Sequence, residues 1–241
     1  MLSDRQTQLL EAIISEYIKN AEPVGSTIIV EKYNMKCSPA TIRNEMAKLL
    51  DQGFLQMLHT SSGRIPTTGA YKLYLSELMH EDELDVLQEV ALKQRLWANR
   101  YEFEKMLRHA VLALSDLTKE MAIAVTEDGY VINAGAVNIL DYKEFWDIDV
   151  AKAALHLLDR HDLLTHLLEK TATSVGDIKY LIGDELDNEN LRECGLVVAP
   201  YNVGKRLGFV GVFGPSRMNY QKIIPSVRYT KNLIEELGGA W

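Results

Sequence analysis

Apolar residues fall at helical spacing from the start of the chain. Leu9, Leu10, Ile13, Ile14, Tyr17 and Ile18 describe one face of a helix that Ser3 or Asp4 caps and that runs to about Asn20. Ala21-Glu22-Pro23-Val24-Gly25 breaks it, and Ser26 caps a second, shorter helix through about Tyr33, with Ile28, Ile29 and Val30 available for packing. The third helix is the most sharply two-sided. Ser38-Pro39 is an N-cap followed by the residue best suited to a first helical turn. At 100° per residue from Ile42, the residues Met46, Leu49 and Leu50 lie within about 80° of it, while Ala40, Asn44, Ala47 and Lys48 gather opposite. Gly53 stops this helix. Residues 54–59 then read as a short strand, Thr60-Ser61-Ser62-Gly63 as a polar turn, and Arg64-Ile65 as a return strand ended by Pro66.

Three helices followed by a two-stranded wing predict a winged helix-turn-helix over residues 1–79, whose third helix enters the major groove of DNA. Small size on the outward face is informative. Alanines flanking an asparagine let a helix backbone approach base edges, and the Asn44 amide suits bidentate pairing with adenine. A basic residue at the hairpin tip suits a wing lying along phosphate or in the minor groove. The same pattern also fits a helix and hairpin packed inside an ordinary α+β domain. Ser26 has two readings as well: a helix cap, or a hydroxyl at a helix N-terminus that seats a phosphate.

Residues 80–118 read as a mostly helical linker, with Leu84, Leu87, Leu92, Leu96, Phe103, Leu107, Val111 and Leu114 among the periodic positions. A straight helix of that length would span about 58 Å, so at least one break is expected. Trp97 and Tyr101 are placed to pack the linker on a domain or on a partner chain. From Met121 the pattern changes to strands. Residues 121–125 and 130–137 flank Glu127-Asp128-Gly129, and Asp-Gly is a strong hairpin signal. A helix over about 149–170, a strand over 178–182 and a short helix over 189–193 follow. Residues 196–201 and 207–213 form a second hairpin about Asn202-Val203-Gly204, and a closing helix over 218–237 is interrupted or kinked near Pro225. The fold class is therefore α+β, with an antiparallel sheet and helices over 119–241.

Charge bears on the DNA reading. The formal net charge of −8 looks wrong for a protein that meets nucleic acid. Its distribution removes the objection. Residues 1–79 hold 8 Lys+Arg and 8 Asp+Glu, and residues 80–241 the remaining 18 and 26. Within 23–75, six basic residues (Lys32, Lys36, Arg43, Lys48, Arg64 and Lys72) face three acidic ones (Glu31, Glu45 and Asp51). With a Debye length near 8 Å at physiological salt, acidity tens of ångströms away is largely screened. At 241 residues and 47% hydrophobic content the chain suffices for two cores. No run approaches the roughly 18 apolar residues of a membrane span, and MLSDRQTQ has no signal pattern, so a cytoplasmic protein is expected.

Catalytic and metal chemistry has little support. Cys37 and Cys194 lack a ligand-like spacing. His156, His161 and His166, five residues apart, would lie about 140° apart around one helix and cannot converge on an ion. No G-x-S-x-G elbow, phosphate loop or H-E-x-x-H occurs, so no enzyme, cofactor or metal is expected. Gly208, Gly211, Gly214-Pro215 and Arg217 form a glycine-rich strand exit suited either to a close-lying ligand or to packing and turns.

PVGS at 23–26, SPATIRNEMAKL at 38–49 and HTSSGRIPTTGAYKLYLSEL at 59–78 resemble the N-terminal domain of the HrcA family of bacterial heat-inducible transcription repressors. GAVNILDYKEF at 135–145 and the segment 196–237 are similar to that family's later signatures. The resemblance implies a GAF-like regulatory and dimerisation domain over 119–241, control of chaperone operons, an inverted-repeat operator bound by a homodimer, nucleoid association and a GroE-type chaperonin as a further partner. The expected DNA-binding residues are Ser26, Ser38, Ala40, Thr41, Arg43, Asn44, Lys48, His59, Thr60, Ser61, Ser62 and Arg64. Family members are usually about a hundred residues longer than these 241, and the shortfall is expected between Val125 and Gly135. Two other functions remain open: a winged-helix regulator switched by a small ligand in 121–241, and a helix-turn-helix that serves only as a protein-docking scaffold.

Overall fold

The computed structural model describes residues 2–33, 35–57, 63–170, 174–175 and 177–239, the side chains of 170, 174 and 175 excepted. The chain divides into two units, Met1–His80 and Glu81–Trp241.

In the first unit, helix α1 (Asp4–Asn20) is closed by a reciprocal cap: Gln6 N–H donates to Ser3 Oγ, and Ser3 N–H donates to Gln6 Oε1 at 3.0 Å. Leu9, Leu10, Ile13 and Ile14 on its inner face are fully buried. Helix α2 (Ser26–Tyr33) is tied back to α1 through Glu16, a buried carboxylate that accepts hydrogen bonds from Asn20, Lys32 and Tyr33. Helix α3 (Pro39–Asp51) begins at Ser38, whose Oγ accepts from Thr41 N–H, and buries Ile42, Met46 and Leu49. Gly53, at φ +79°, turns the chain into strand β1 (Leu55–Gln56), which pairs antiparallel with β2 (Ile65–Pro66).

Two features of this unit go beyond the sequence reading. Val24, read there only as part of a helix break, exchanges both backbone hydrogen bonds with Arg64 at 2.9 Å, so the wing has a third, one-residue member. A further helix α4 (Thr68–Leu73), capped by Thr67 and extended by a single π-helical turn over Tyr74–Leu78, buries Ala70, Tyr71, Tyr74 and Leu75.

The second unit is a six-stranded antiparallel sheet in the order β4-β3-β8-β7-β6-β5, comprising β3 (Met121–Thr126), β4 (Val131–Ala134), β5 (Ser174–Val175), β6 (Ile178–Ile182), β7 (Cys194–Val203) and β8 (Arg206–Pro215). Residues 81–118 belong to this unit. They form helices α5 (Val86–Trp97) and α6 (Phe103–Thr118), broken over 98–102, and α6 buries Met106, Leu107, Ala110, Val111 and Leu114. Helix α9 (Tyr220–Gly238) keeps Pro225 within its first two turns. On the other side, α7 (Ile148–Asp159) and α8 (His161–Lys170) share one core with Met121, Ile123, Leu196, Val198 and Phe213. This is the α+β arrangement expected, with the GAF-like layering of a sheet between helices.

Several boundaries differ from the sequence reading. The helix expected over 149–170 is two helices, because Arg160 leaves the helical region (φ −124°, ψ 82°). The break lets Leu157 on one helix and Leu164, Leu167 and Leu168 on the other all reach the core. The strand expected to reach residue 137 ends at Ala134. Gly135 there adopts φ +69°, and 3-10 turns follow over Ala136–Asp141 and Lys143–Phe145. The β7–β8 turn is Gly204-Lys205, one position later than expected, with positive φ at its first residue as a Gly-first two-residue hairpin requires.

Candidate nucleic-acid interface

Helix α3 turns one face into the first unit's core and the other to solvent. Ala40, Arg43, Asn44, Ala47 and Lys48 are all exposed. Ile42, Met46 and Leu49 are buried beneath them, so the helix cannot rotate without exposing its apolar stripe. Asn44 thus lies on the outward face with an alanine on the turn before it and another on the turn after, which leaves the backbone open to close approach. Arg43 lies at the edge of this face. Ser38 and Thr41 at the N-terminal end are joined by a hydroxyl–hydroxyl hydrogen bond of 3.0 Å, and Ser38 is exposed.

The charges on this face are not all unengaged. Lys48 Nζ pairs with Glu45 Oε1 at 2.8 Å, one turn away on the same helix. The hydrogen bond from Lys48 is the main cause that holds the Glu45 carboxyl below the usual carboxylate range, against a smaller opposing effect of desolvation. Lys32, counted among the local basic residues, is held by Glu16 at 2.5 Å, and that hydrogen bond raises its pKa. Glu45 is the residue that sequence reasoning passed over. Its signal was present, since an acid three residues before a lysine on a helix surface forms an ion pair.

The remaining expected residues divide. Ser26 is only 8% exposed, because it opens α2 against the core, so its side chain does not form part of the outward α3 face. Arg64, read as opening the return strand, lies directly before β2 with its backbone bridged to Val24, and its side chain is half-buried. Gly63 before it has no room for a side chain: a Cβ there would lie 2.6 Å from the Pro23 carbonyl carbon and 2.7 Å from that of Val24. His59, Thr60, Ser61 and Ser62 lie outside the described residues.

In the second unit, the glycine-rich strand has packing partners. A Cβ at Gly208 would meet Tyr201 Oη at 2.4 Å, one at Gly211 the Val197 carbonyl at 2.0 Å, and one at Gly214 the Glu120 carboxylate at 2.4 Å. Arg217 forms a two-point pair with Glu144, at 2.5 and 3.0 Å. Near the start of α6 an open groove of about 1200 Å³ is lined by Tyr101, Phe103, Tyr130, Tyr201, Lys205 and Arg206 among others.

Comparison with known proteins agrees with these features. Residues 1–79 match the family model described as the winged helix-turn-helix transcription repressor, HrcA DNA-binding, and residues 70–224 match the HrcA protein C-terminal domain. The heat-inducible transcription repressor HrcA of Ruminiclostridium cellulolyticum is 27% identical over 338 aligned positions, covering 98% of this chain and 97% of its own. Its namesake in Pelotomaculum thermopropionicum is 28% identical over 338 positions, with the same coverage. A chain of 241 residues leaves about a hundred of those 338 positions unfilled. A crystal structure of a hypothetical protein at 2.2 Å resolution shares the fold, with a TM-score of 0.79 and 20% identity over 100% of this chain and 99% of that one. With both parts of one family matched in order, on a winged helix whose outward α3 face is exposed, the chain belongs to the HrcA family of transcription repressors.

Proposed function

We propose that this heat-inducible repressor acts as a homodimer on an inverted-repeat operator of chaperone operons, each copy placing α3 in a major groove. The carrying observation is the outward face of α3, with exposed Asn44 set between the small side chains of Ala40 one turn before and Ala47 one turn after, and with Lys48 and Arg43 at its border. In this reading Ala40, Thr41 and Asn44 meet base edges, and Arg43, Lys48 and the wing from residue 59 to Arg64 meet phosphate. Ser38 fixes the helix N-terminus, and Ser26 acts through the α2 N-terminus rather than by direct contact. Two-fold binding supplies affinity that one small domain lacks. The protein works by binding rather than by catalysis. It acts at the nucleoid in the cytoplasm, and no helix among the described residues is long and apolar enough to cross a membrane. A GroE-type chaperonin restores its activity after heating.

The test is selection of duplexes from a random pool, followed by a gel shift at fixed salt. Selected sites should show a two-fold repeat. Asn44→Ala should lose about 1–3 kcal/mol of discrimination at one base pair per half-site, with binding to random DNA nearly unchanged. Unaltered operator preference in Asn44→Ala would remove Asn44 from the reading role.

A second reading, a regulator switched by a small ligand, draws on the groove beside α6. Its wall includes Tyr201, whose buried hydroxyl has no hydrogen-bond partner among the described residues. It predicts a ligand-dependent rise in melting temperature that Tyr201→Phe alters.

A further inference from the structure

The outer side of the second unit, made by the 3-10 turns over Ala136–Asp141 and Lys143–Phe145 together with α7, carries large apolar groups on both faces. Inward, Ile139, Phe145, Ala151, Ala154 and Leu157 are buried. Outward, Val137 is 69% exposed, Trp146 75% and Ile148 62%, with Leu140 and Leu155 about half exposed. These five residues fall in two neighbouring groups, linked where Ile148 follows Trp146 by two positions. Val137 and Leu140 are three apart on a 3-10 turn and so are eclipsed. Trp146 Nε1 donates to the Leu140 carbonyl at 3.3 Å, which lays the indole beside them. Ile148 and Leu155 are seven apart on α7 and fall on one stripe.

We propose that this face is where two copies of the chain meet; the proposal rests on the reading of the protein as a two-fold repressor. The outward groups expose roughly 500 Å² of apolar surface, at the upper end of what a monomer usually leaves in one patch. Joining two such faces removes roughly 1,000 Å² from water, the lower bound for a specific interface. Self-pairing across a two-fold axis suits the patch chemically. Apolar centre meets apolar centre, and the exposed rim of Asp141, Lys143, Asp147, Asp149 and Lys152 carries both signs, so each copy offers partners to the other. Trp146, the most exposed aromatic side chain of the group, is the anchor.

The test is sedimentation equilibrium of the full chain without DNA, across about 1–100 μM, a range that brackets micromolar dimer affinity. The wild type should be dimeric. Trp146→Asp should weaken the dimer by at least about tenfold, while Trp146→Phe, which keeps the apolar contact, should stay near wild type. Ile148→Lys repeats the test on α7 without disturbing the Trp146–Leu140 hydrogen bond. A wild type that is monomeric throughout, or Trp146→Asp and Ile148→Lys variants with unchanged circular dichroism that dimerise normally, overturns the proposal. Binding of a single half-site duplex, measured in parallel, should be the same in all variants. A stable dimer that binds no DNA would sink the repressor reading and leave the interface standing.

Discussion

Glu45 is an acidic side chain on the helix that the proposed function turns toward DNA, and it holds Lys48 at 2.8 Å. On a solvated helix surface such a pair adds little to stability, so folding gives weak reason to retain it. Its effect on DNA is larger, because it cancels a charge where counterions would be released. Glu45→Gln should therefore tighten binding to random-sequence DNA several-fold and steepen the dependence of log K on log salt by up to about one unit. The measurement is a salt titration by fluorescence anisotropy, and an unchanged slope would mean that Lys48 does not reach the phosphates.

A second acid belongs to the core. Glu120 is 3% exposed, and burial, the largest cause, pushes its pKa up to about 8, against the lowering influence of Tyr142 and Arg217. Tyr142 donates to Oε1 at 2.7 Å, while Oε2 has no hydrogen-bond partner among the described residues and abuts Gly214, so the carboxylate charge is poorly compensated there. The folded pKa lies above the ordinary value of 4.5. Below about 4.5 the carboxyl is neutral in both states and its contribution is fully present. As pH rises toward 8 the unfolded chain gives up the proton while the folded one keeps it, so stability falls, by at most about 1.4 kcal/mol per pH unit. Urea unfolding at pH 6 and pH 8 should show this decline, and Glu120→Gln should flatten it. Equal pH dependence in the two proteins would assign the decline to other groups.

At the scale of elements, what was legible in the sequence was what is decided locally. Ser3 and Ser38 cap α1 and α3 through bonds to residues three positions on, and those starts were readable. The β3–β4 turn was readable from Glu127-Asp128-Gly129, and Gly129, at φ +100°, closes that three-residue loop. What was not legible depends on distant partners. Nothing in Asp159-Arg160-His161-Asp162 announces a helix break, which instead accompanies the His161 ring nitrogen lying 2.9 Å from the Thr126 carbonyl and the Arg160–Asp162 pair. Strand order was hidden for the same reason, since β3 pairs with β8 some eighty residues away. In the candidate site the two faces of α3 were legible from periodicity, whereas the placement of Arg64 follows from Val24, about forty residues earlier. Gly63 makes that bridge possible, because Pro23 and Val24 occupy the space a side chain would need. Gly63→Ala should therefore destabilise the first unit by about 1–3 kcal/mol, as overpacking does, and weaken DNA binding more than a change in the outward α3 residues of similar size. If its unfolding midpoint matched wild type, the close contact of residue 63 with Pro23 and Val24 would not be limiting.

For the whole molecule, the excess acidity lies in 80–241 and the local basic excess in 23–75, so in the proposed reading the charge that attracts DNA belongs to the first part of the chain. Such a layout makes salt dependence a count of the reading units engaged. Each phosphate neutralised adds about 0.9 to the slope of log K against log salt, whatever its sequence context. If two copies bind one inverted repeat, the full operator should give a slope about twice that of an isolated half-site, because the second copy adds its own Arg43 and Lys48 contacts. Disrupting the face about Trp146 then has a distinct signature. The half-site slope stays as it was, and at protein concentrations below the weakened dimer constant the operator slope falls toward the half-site value. Equal slopes on operator and half-site in the wild-type protein would mean that one copy suffices for binding, and the two-fold account of repression would fail with it.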